Sequence, residues 1–373
     1  MSMNTTKEEI KMKYDYLIVG AGITGATLAF ELSGKGRRCL VVDRRDEVGG
    51  NCAIKIDNDI IIHKYGPHIF HTKHYYIYKF FTSLCNWFPY THKIKVKIDN
   101  KIYSFPINLE TLYQVFGITS PNKINQVIKK DTSSGGDNIE DFTISCVGKE
   151  LYEMFYYGYS LKQWGRSPKQ LPLEIAKRIP IRDTFDDTYY EGNQYQCLPY
   201  NYTEIFNSLL KHTQVCLGED FTRKRNFYKS IANTIIYTGA IDEYFEYKYG
   251  DLEYRSVEYI HKIYDSTNVQ GISVINYPSL KDRQTRSIEH RLLMKDCTSS
   301  KSVVSYEYSK EFMEGINERM YPIRTIKNLE LYEKYKKAKG GEHDIIFCGR
   351  LGTFSYLDMD EAIKQAIDIS TKL

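Results

Sequence analysis

The sequence predicts an α/β protein: a Rossmann-like dinucleotide-binding domain built from discontinuous segments, with a helical insert and an antiparallel β-sheet domain. Three observations predict it. A glycine-rich turn follows an apolar strand near one end, in "YDYLIVGAGITGATLAF". A strand, a Gly-Arg pair and a helix follow one another near the other end, in "DIIFCGRLGTFSYLDMDEAIKQAIDI". Between Tyr254 and Tyr308, short β-rich runs such as "GISVINY" and "SVVSYEY" read as strands of a largely antiparallel sheet.

The first element is a buried strand, Tyr16–Val19, running into Gly20-x-Gly22-x-x-Gly25, then a helix, then a second strand from Cys39 to Val42 that ends at Asp43. The three glycines serve a tight turn, close approach of backbone to a pyrophosphate, and close helix–strand packing. The helix N-terminus offers free N–H groups and a positive dipole end to phosphates. Asp43 stands where a carboxylate takes ribose hydroxyls. Past it, "DRRDEVGGN" brings Gly49 and Gly50 against the nucleotide. An NAD site has no need of that second glycine pair, and FAD enzymes with an N-terminal Rossmann unit often carry it. The C-terminal segment, with Arg350 after its strand and a helix starting near Asp358, can return to this domain and set its N-terminus beside a flavin ring. The cofactor read from these features is FAD.

Between the two ends, Leu109–Lys130 and Asp141–Leu161 have helical apolar spacing. "DTSSGGDN" (131–138) reads as a loop, and 173–190 leads into a more extended region. The stretch "IIHKYGPHIFHT" poses a question of its own, with His63, His68 and His71 in it and His74 just beyond. It could be a metal site, an acid–base centre or a cofactor wall. Gly66-Pro67 breaks any helix that would pair the imidazoles, and no carboxylate or cysteine cluster nearby completes a metal shell.

Composition narrows the class. With 42% apolar and 26% charged residues in 373, the chain is that of a soluble globular protein of two or three domains. A net charge of +4, scattered, does not argue for nucleic acid, and the "RKR" run Arg223–Arg225 reads as solvated surface. Eight cysteines without a C-x-x-C pair point to reduced thiols. The polar start "MSMNTTKEEIKMK" is not a signal peptide, and the one long apolar run is too short to span a bilayer. A cytoplasmic protein without a membrane span is expected. No convincing Ser-His-Asp or Cys-His arrangement supplies a protein nucleophile.

The stretches "HKYGPHIFHT", "GYSLKQWGRSP", "RIPIRDTFDDTYY", "YTGAIDEYFEYKYGDLEYRS", "VINY…QTRSIEH" and "CGRLGTFSYLDMD", in this order, resemble the UDP-galactopyranose mutases of bacterial type. The resemblance runs from Tyr14 to the C-terminus. It implies FAD-binding segments at 14–84, 207–243 and 323–373, β-sheet segments at 85–104, 181–206 and 244–322, and a helical insert with a mobile substrate loop at 105–180. It also implies a reaction: interconversion of UDP-galactopyranose and UDP-galactofuranose through a covalent adduct of the sugar with N5 of reduced flavin, feeding glycan biosynthesis.

What the resemblance implies for single residues can be set beside the chemistry. A buried diphosphate demands fixed cations, and the fork of arginine meets phosphate oxygens in pairs. Arg182 and Arg286 match the family's diphosphate-binding arginines, and with His63 they are the candidate catalytic residues. Tyr195, Tyr321 and Tyr356 match tyrosines that reach the phosphates. Phe155 and Tyr159, four apart on one helical face, suit a flat uracil. Trp164 falls in the mobile loop, whose closure would exclude water. Asn276 and His92 fall at further substrate positions. Cofactor contacts are implied for Gly20, Gly22, Thr24, Gly25, Asp43, Arg44, Gly50, Asn51, His68, Ile69, Phe221, Arg350, Asp358 and Met359. In this light the histidine stretch is a cofactor wall, with His63 beside the flavin ring.

The implied partners are a UDP-sugar and a reductant such as NAD(P)H, with no nucleic acid; a homodimer is an assembly the resemblance allows. The rival readings are a UDP-N-acetylgalactosamine mutase, a flavin amine oxidase-like oxidoreductase, and a UDP- and FAD-binding protein without turnover. Three departures keep the last in play: Tyr200-Asn201 where the family has glycines, Asp183 after the diphosphate arginine, and Cys348 in place of a glycine before Gly349.

Overall fold

The structure, a computed structural model, describes residues 13–124, 136–173, 180–192, 194–338 and 345–373. Its centre is a five-stranded parallel sheet in the order Gln214–Leu217, Cys39–Asp43, Tyr14–Val19, Ala232–Tyr237, Ile345–Phe347. All but the edge strand Gln214–Leu217 are short, apolar and largely buried, as parallel strands covered on both faces must be. The first helix, Ile23–Gly34, and the last, Met359–Ser370, pack together on one face, where Leu28, Ala29, Ile363 and Ala366 are fully buried. A cluster around Phe221, Tyr237 and Tyr244 fills the other.

The second sheet has seven strands, in the order Tyr321–Pro322, Tyr254–Tyr264, Ser302–Glu311, Arg286–Glu289, Val274–Asn276, Ile94–Ile98, Lys101–Phe105. All its pairs are antiparallel except Val274–Asn276 against Ile94–Ile98. The strand Tyr195–Pro199 is not in it. It joins Phe70–Thr72 and Trp87–Pro89 in a separate three-stranded sheet that bridges the cofactor end and the larger sheet.

The first helical stretch of the insert is interrupted. The helix Leu109–Phe116 ends at Gly117, which takes a left-handed φ of 70°; residues 125–130 of the expected span and 131–135 of the expected loop lie outside the described residues. The second helical stretch opens at Asn138, whose side chain accepts from Asp141 N–H. It then runs as Ile139–Val147, Lys149–Tyr152, a π-helical turn Glu153–Tyr157 and Gly158–Trp164. Within the expected extended region, 174–179 lie outside the described residues. Trp164 closes a helix rather than sitting in a loop, with Gly165 at φ 62° ending it.

Candidate active site

The glycine turn is built as the sequence reads. Gly20 has φ 111°, and a Cβ there would fall 2.0 Å from Thr238 Oγ1. A Cβ on Gly25 would meet the Gly20 carbonyl at 1.9 Å, so the helix approaches the strand only without one. Gly22 differs: the nearest protein atom to its Cβ would be Gly50 Cα, at 3.7 Å. The space it keeps open lies toward the cavity it lines. Asp43 secures the turn, accepting from Ala21 N–H at 2.7 Å and Arg45 N–H at 2.9 Å.

A cavity of about 690 Å³ starts at this turn, along Gly22, Thr24, Gly25 and Asn51. It continues past His68, Ile69, Arg350, Asp358 and Met359. Its far end is walled by His92, Tyr159, Trp164, Asn276, Arg286, Tyr321 and Tyr356. The volume falls in the range of small-molecule and cofactor sites. Asp358 caps the last helix, and its N–H donates to Glu361 at 2.9 Å, so an N-terminus of that helix meets the cavity midway.

The far end is cationic and aromatic. The Glu307 carboxylate, fully buried, accepts from Arg286 Nε, from Tyr259 Oη at 3.0 Å and from Thr285 Oγ1 at 2.9 Å. Burial works against the Arg286 charge, but Glu307 overrides it and holds the guanidinium protonated. Its two Nη groups have no hydrogen-bond partner among the described residues. Tyr321 and Tyr356 stack at 5.5 Å and 10°. Arg350 lies over both rings at 5.1 and 5.2 Å, and the Trp164 ring stands 6.2 and 6.3 Å away.

His68 and His92 on the cavity wall are neutral at physiological pH. His68 Nδ1 is 2.8 Å from the Gly66 carbonyl, so it carries the proton and leaves Nε2 as an acceptor. Burial draws His68 down to about 4 and His92 to about 3, with nearby cations adding to the effect. His92 Nδ1 is buried with no partner among the described residues, an orphaned polar atom on the cavity wall. Among the described residues no three metal-ligating side chains gather.

Several sequence candidates lie off the cavity wall. Phe155 is in the core against Tyr103 and Phe105. It lies in the π-helical turn, whose wider winding breaks the four-residue register with Tyr159. His63 is buried behind His68, stacked on His290, and its Nδ1 accepts from His68 N–H at 3.4 Å. Phe221 is core, packed on Tyr228 and Tyr237. Tyr195 is half-exposed against Tyr75 and Tyr78. Arg44 pairs with Glu243 at 3.2 Å. Arg182 holds Asp186 at 3.1 Å and the Tyr190 carbonyl at 2.8 Å, while its buried Nη1 has no partner among the described residues.

Sequence reasoning missed the segment that crosses the cavity. Tyr190 stacks on His71 at 3.7 Å, and Glu191 pairs with Lys73 at 2.9 Å. The abundance of tyrosine, 33 in the chain, is the only sequence signal that points toward it. The three departures prove conformationally ordinary. Cys348 is extended at φ −151°, Asn201 at φ −153° caps a helix by accepting from Thr203 N–H, and neither Tyr200 nor Asp183 has a positive φ.

Comparison with known proteins places this geometry. A family model described as UDP-galactopyranose mutase matches residues 154–356, and one described as an NAD(P)-binding Rossmann-like domain matches 18–84. The chain is 35% identical to a "Probable UDP-galactopyranose mutase" of Klebsiella pneumoniae, over 94% of this chain and 92% of that one. It is 33% identical to a dTDP-fucopyranose mutase of Escherichia coli, over 94% and 96%. Its fold superposes on a crystal structure of reduced UDP-galactopyranose mutase with a TM-score of 0.78 at 14% identity, covering 96% and 93%.

Proposed function

The chain belongs to the UDP-galactopyranose mutase family, and from that premise we propose that it interconverts UDP-galactopyranose and UDP-galactofuranose on reduced FAD. It is an isomerase with a flavin cofactor. One observation carries the substrate end: Arg286, fixed through Nε by a buried carboxylate, turns an uncommitted pair of Nη groups to the same cavity that the glycine turn opens. That is the arrangement a diphosphate requires.

FAD fits the near end. Gly22 leaves open space beside a helix N-terminus for the pyrophosphate, and Asp43 stands at the adenosine side. Thr24, Asn51, His68, Ile69, Arg350, Asp358 and Met359 would line the rest, with residues 14–84, 207–243 and 323–373 forming the cofactor-binding part. Reduced FAD, when bound, would supply at N5 the nucleophile for the anomeric carbon. The protein's part is position and charge. Arg286 stabilises negative charge on departing UDP, with Arg182 acting from behind the cavity wall through Tyr190, whose carbonyl it holds. Tyr321 and Tyr356 hold the phosphates, Tyr159 the uracil, and Trp164 covers the sugar from water. His63 acts from behind, orienting His68.

The sequence-level setting completes the reading: a cytoplasmic enzyme, reduced by NAD(P)H, supplying furanose units for glycans. The dTDP-fucopyranose mutase relative makes a dTDP-6-deoxysugar the second substrate to try. The test is an anaerobic chromatographic assay of dithionite-reduced protein with UDP-galactofuranose and with the dTDP-sugar. Many turnovers per flavin after a single reduction, and none with oxidised protein, are expected. Equal activity in both redox states overturns the N5 role, and acceptor consumed in step with product would make the protein an oxidase.

A further inference from the structure

One ammonium is caged by backbone carbonyls. Lys162 Nζ donates to four backbone carbonyls: Tyr277 at 2.5 Å, Ser279 at 2.9 Å, Asp282 at 3.0 Å and Gln284 at 2.9 Å. Three N–H groups meet four acceptors, so at least one hydrogen is shared. All four carbonyls belong to one turn, which joins the strands Val274–Asn276 and Arg286–Glu289. Asn276 and Arg286 pair directly across its base. Lys162 itself lies on the helix Gly158–Trp164, between Tyr159 and Trp164.

A second observation shows that the helix and the turn are built to meet. A Cβ on Gly158 would fall 2.2 Å from the Pro278 carbonyl, so only glycine permits this approach. Arg255 fixes the other end of the helix, donating to the carbonyls of Gln163 at 2.9 Å and Lys162 at 3.1 Å. Elsewhere the turn is tied down at its base by Thr285 Oγ1 on Glu307 at 2.9 Å and at the surface by Lys281 on Asp99 at 3.4 Å. Burial draws Lys162 down to about 8, which leaves the ammonium dominant at neutral pH.

We propose that Lys162 is a positioning residue for the nucleotide-sugar end of the cavity. Its ammonium is a built-in cation that locks the hairpin bearing Asn276 and Arg286 to the helix bearing Tyr159 and Trp164. The consequence for binding rests on the function proposed above, whereas the lock itself does not. Four carbonyl dipoles converging on one point repel one another unless a cation sits among them. Without it the turn opens, and Arg286 and Trp164 lose their fixed separation.

The experiment compares Lys162→Met with the parent, both carrying FAD. Lys162→Met is expected to keep its FAD and to bind UDP at least about tenfold more weakly, since a charge-assisted bond is lost. KM should rise by more than kcat falls. Lys162→Ala should regain UDP affinity in methylammonium chloride and not in sodium chloride of equal concentration. UDP affinity within twofold of the parent in Lys162→Met, or no recovery of Lys162→Ala in methylammonium, overturns the proposal. Should Lys162→Met fail to fold, Lys162→Gln, which keeps donors without charge, takes its place under the same criteria. Hydrogen exchange of residues 277–285 reads the lock without reference to turnover. Faster exchange in the variant upholds the lock even if the nucleotide-sugar reading fails, and unchanged exchange overturns it.

Discussion

Arg286 and Glu307 form an ion pair in which the carboxylate is fully buried and the guanidinium borders the cavity. The pair therefore has two roles, and mutation can separate them. Arg286→Ala should retain FAD and lose UDP binding and turnover by at least about tenfold. It should also lower stability by about 3–5 kcal/mol, because Glu307 is left charged and buried. Adding Glu307→Gln should recover much of the stability and none of the affinity. Urea unfolding and UDP titration of the three proteins check this; affinity returning with stability would show that Arg286 is structural only.

Arg182 should behave differently. Its Asp186 partner is exposed, so its removal strands no buried carboxylate. Arg182→Ala is expected to cost less than about 1 kcal/mol in stability, to keep FAD, and to lose at least about tenfold in turnover. Arg182→Lys should recover only part, since it lacks the fork. Near-normal turnover in Arg182→Ala would remove it from the reaction.

Gly22 and Gly25 should fail in distinguishable ways. Gly22→Leu is expected to fold and to purify colourless, because its side chain enters space that the protein leaves open. Gly25→Ala must displace the Gly20 carbonyl and should melt lower even without cofactor. Flavin absorbance and the melting temperature of each apoprotein decide. Full flavin occupancy in Gly22→Leu would refute the cofactor assignment.

Acid should destabilise the protein through its buried histidines. Burial holds His63 at about 3, His68 at about 4 and His92 at about 3, against an unfolded value of about 6.5. Between those values the unfolded chain binds more protons, so stability is full above pH ~6.5 and falls as pH drops toward 4. Each histidine contributes on the order of 1 kcal/mol per pH unit in that window. Urea midpoints from pH 7 to pH 4.5 measure the slope. His92→Gln should flatten it, and an unchanged slope would show that His92 is not the neutral, buried group described.

What was legible in the sequence was what local pattern encodes. The glycine turn, Asp43 and the Asp358 cap are written in contiguous residues, and the structure sets them within a strand or helix end of the expected place. Phe155 was misjudged because nothing in its neighbours announces a π turn. His63, Tyr195 and Arg182 sit off the wall because a motif gives residue order and not the direction a side chain takes. The Lys162 cage was invisible for a plainer reason: all its acceptors are backbone carbonyls, which any sequence supplies.

The parallel sheet has a consequence for how the chain is made. Its strands come from residues 14–43, 214–237 and 345–347, and the helix that packs on Ile23–Gly34 begins only at Met359. During synthesis the Ala232–Tyr237 strand must wait, its outer edge unpaired, while more than a hundred residues follow (237 to 345). On the proposed cofactor site nucleotide capture would not finish until Asp358 had arrived, so a chain stalled before it would present an open edge to its neighbours. FAD binding would in that sense report that the Met359–Ser370 helix has emerged, and stalled chains probed by limited proteolysis should gain cofactor-dependent protection only after that point.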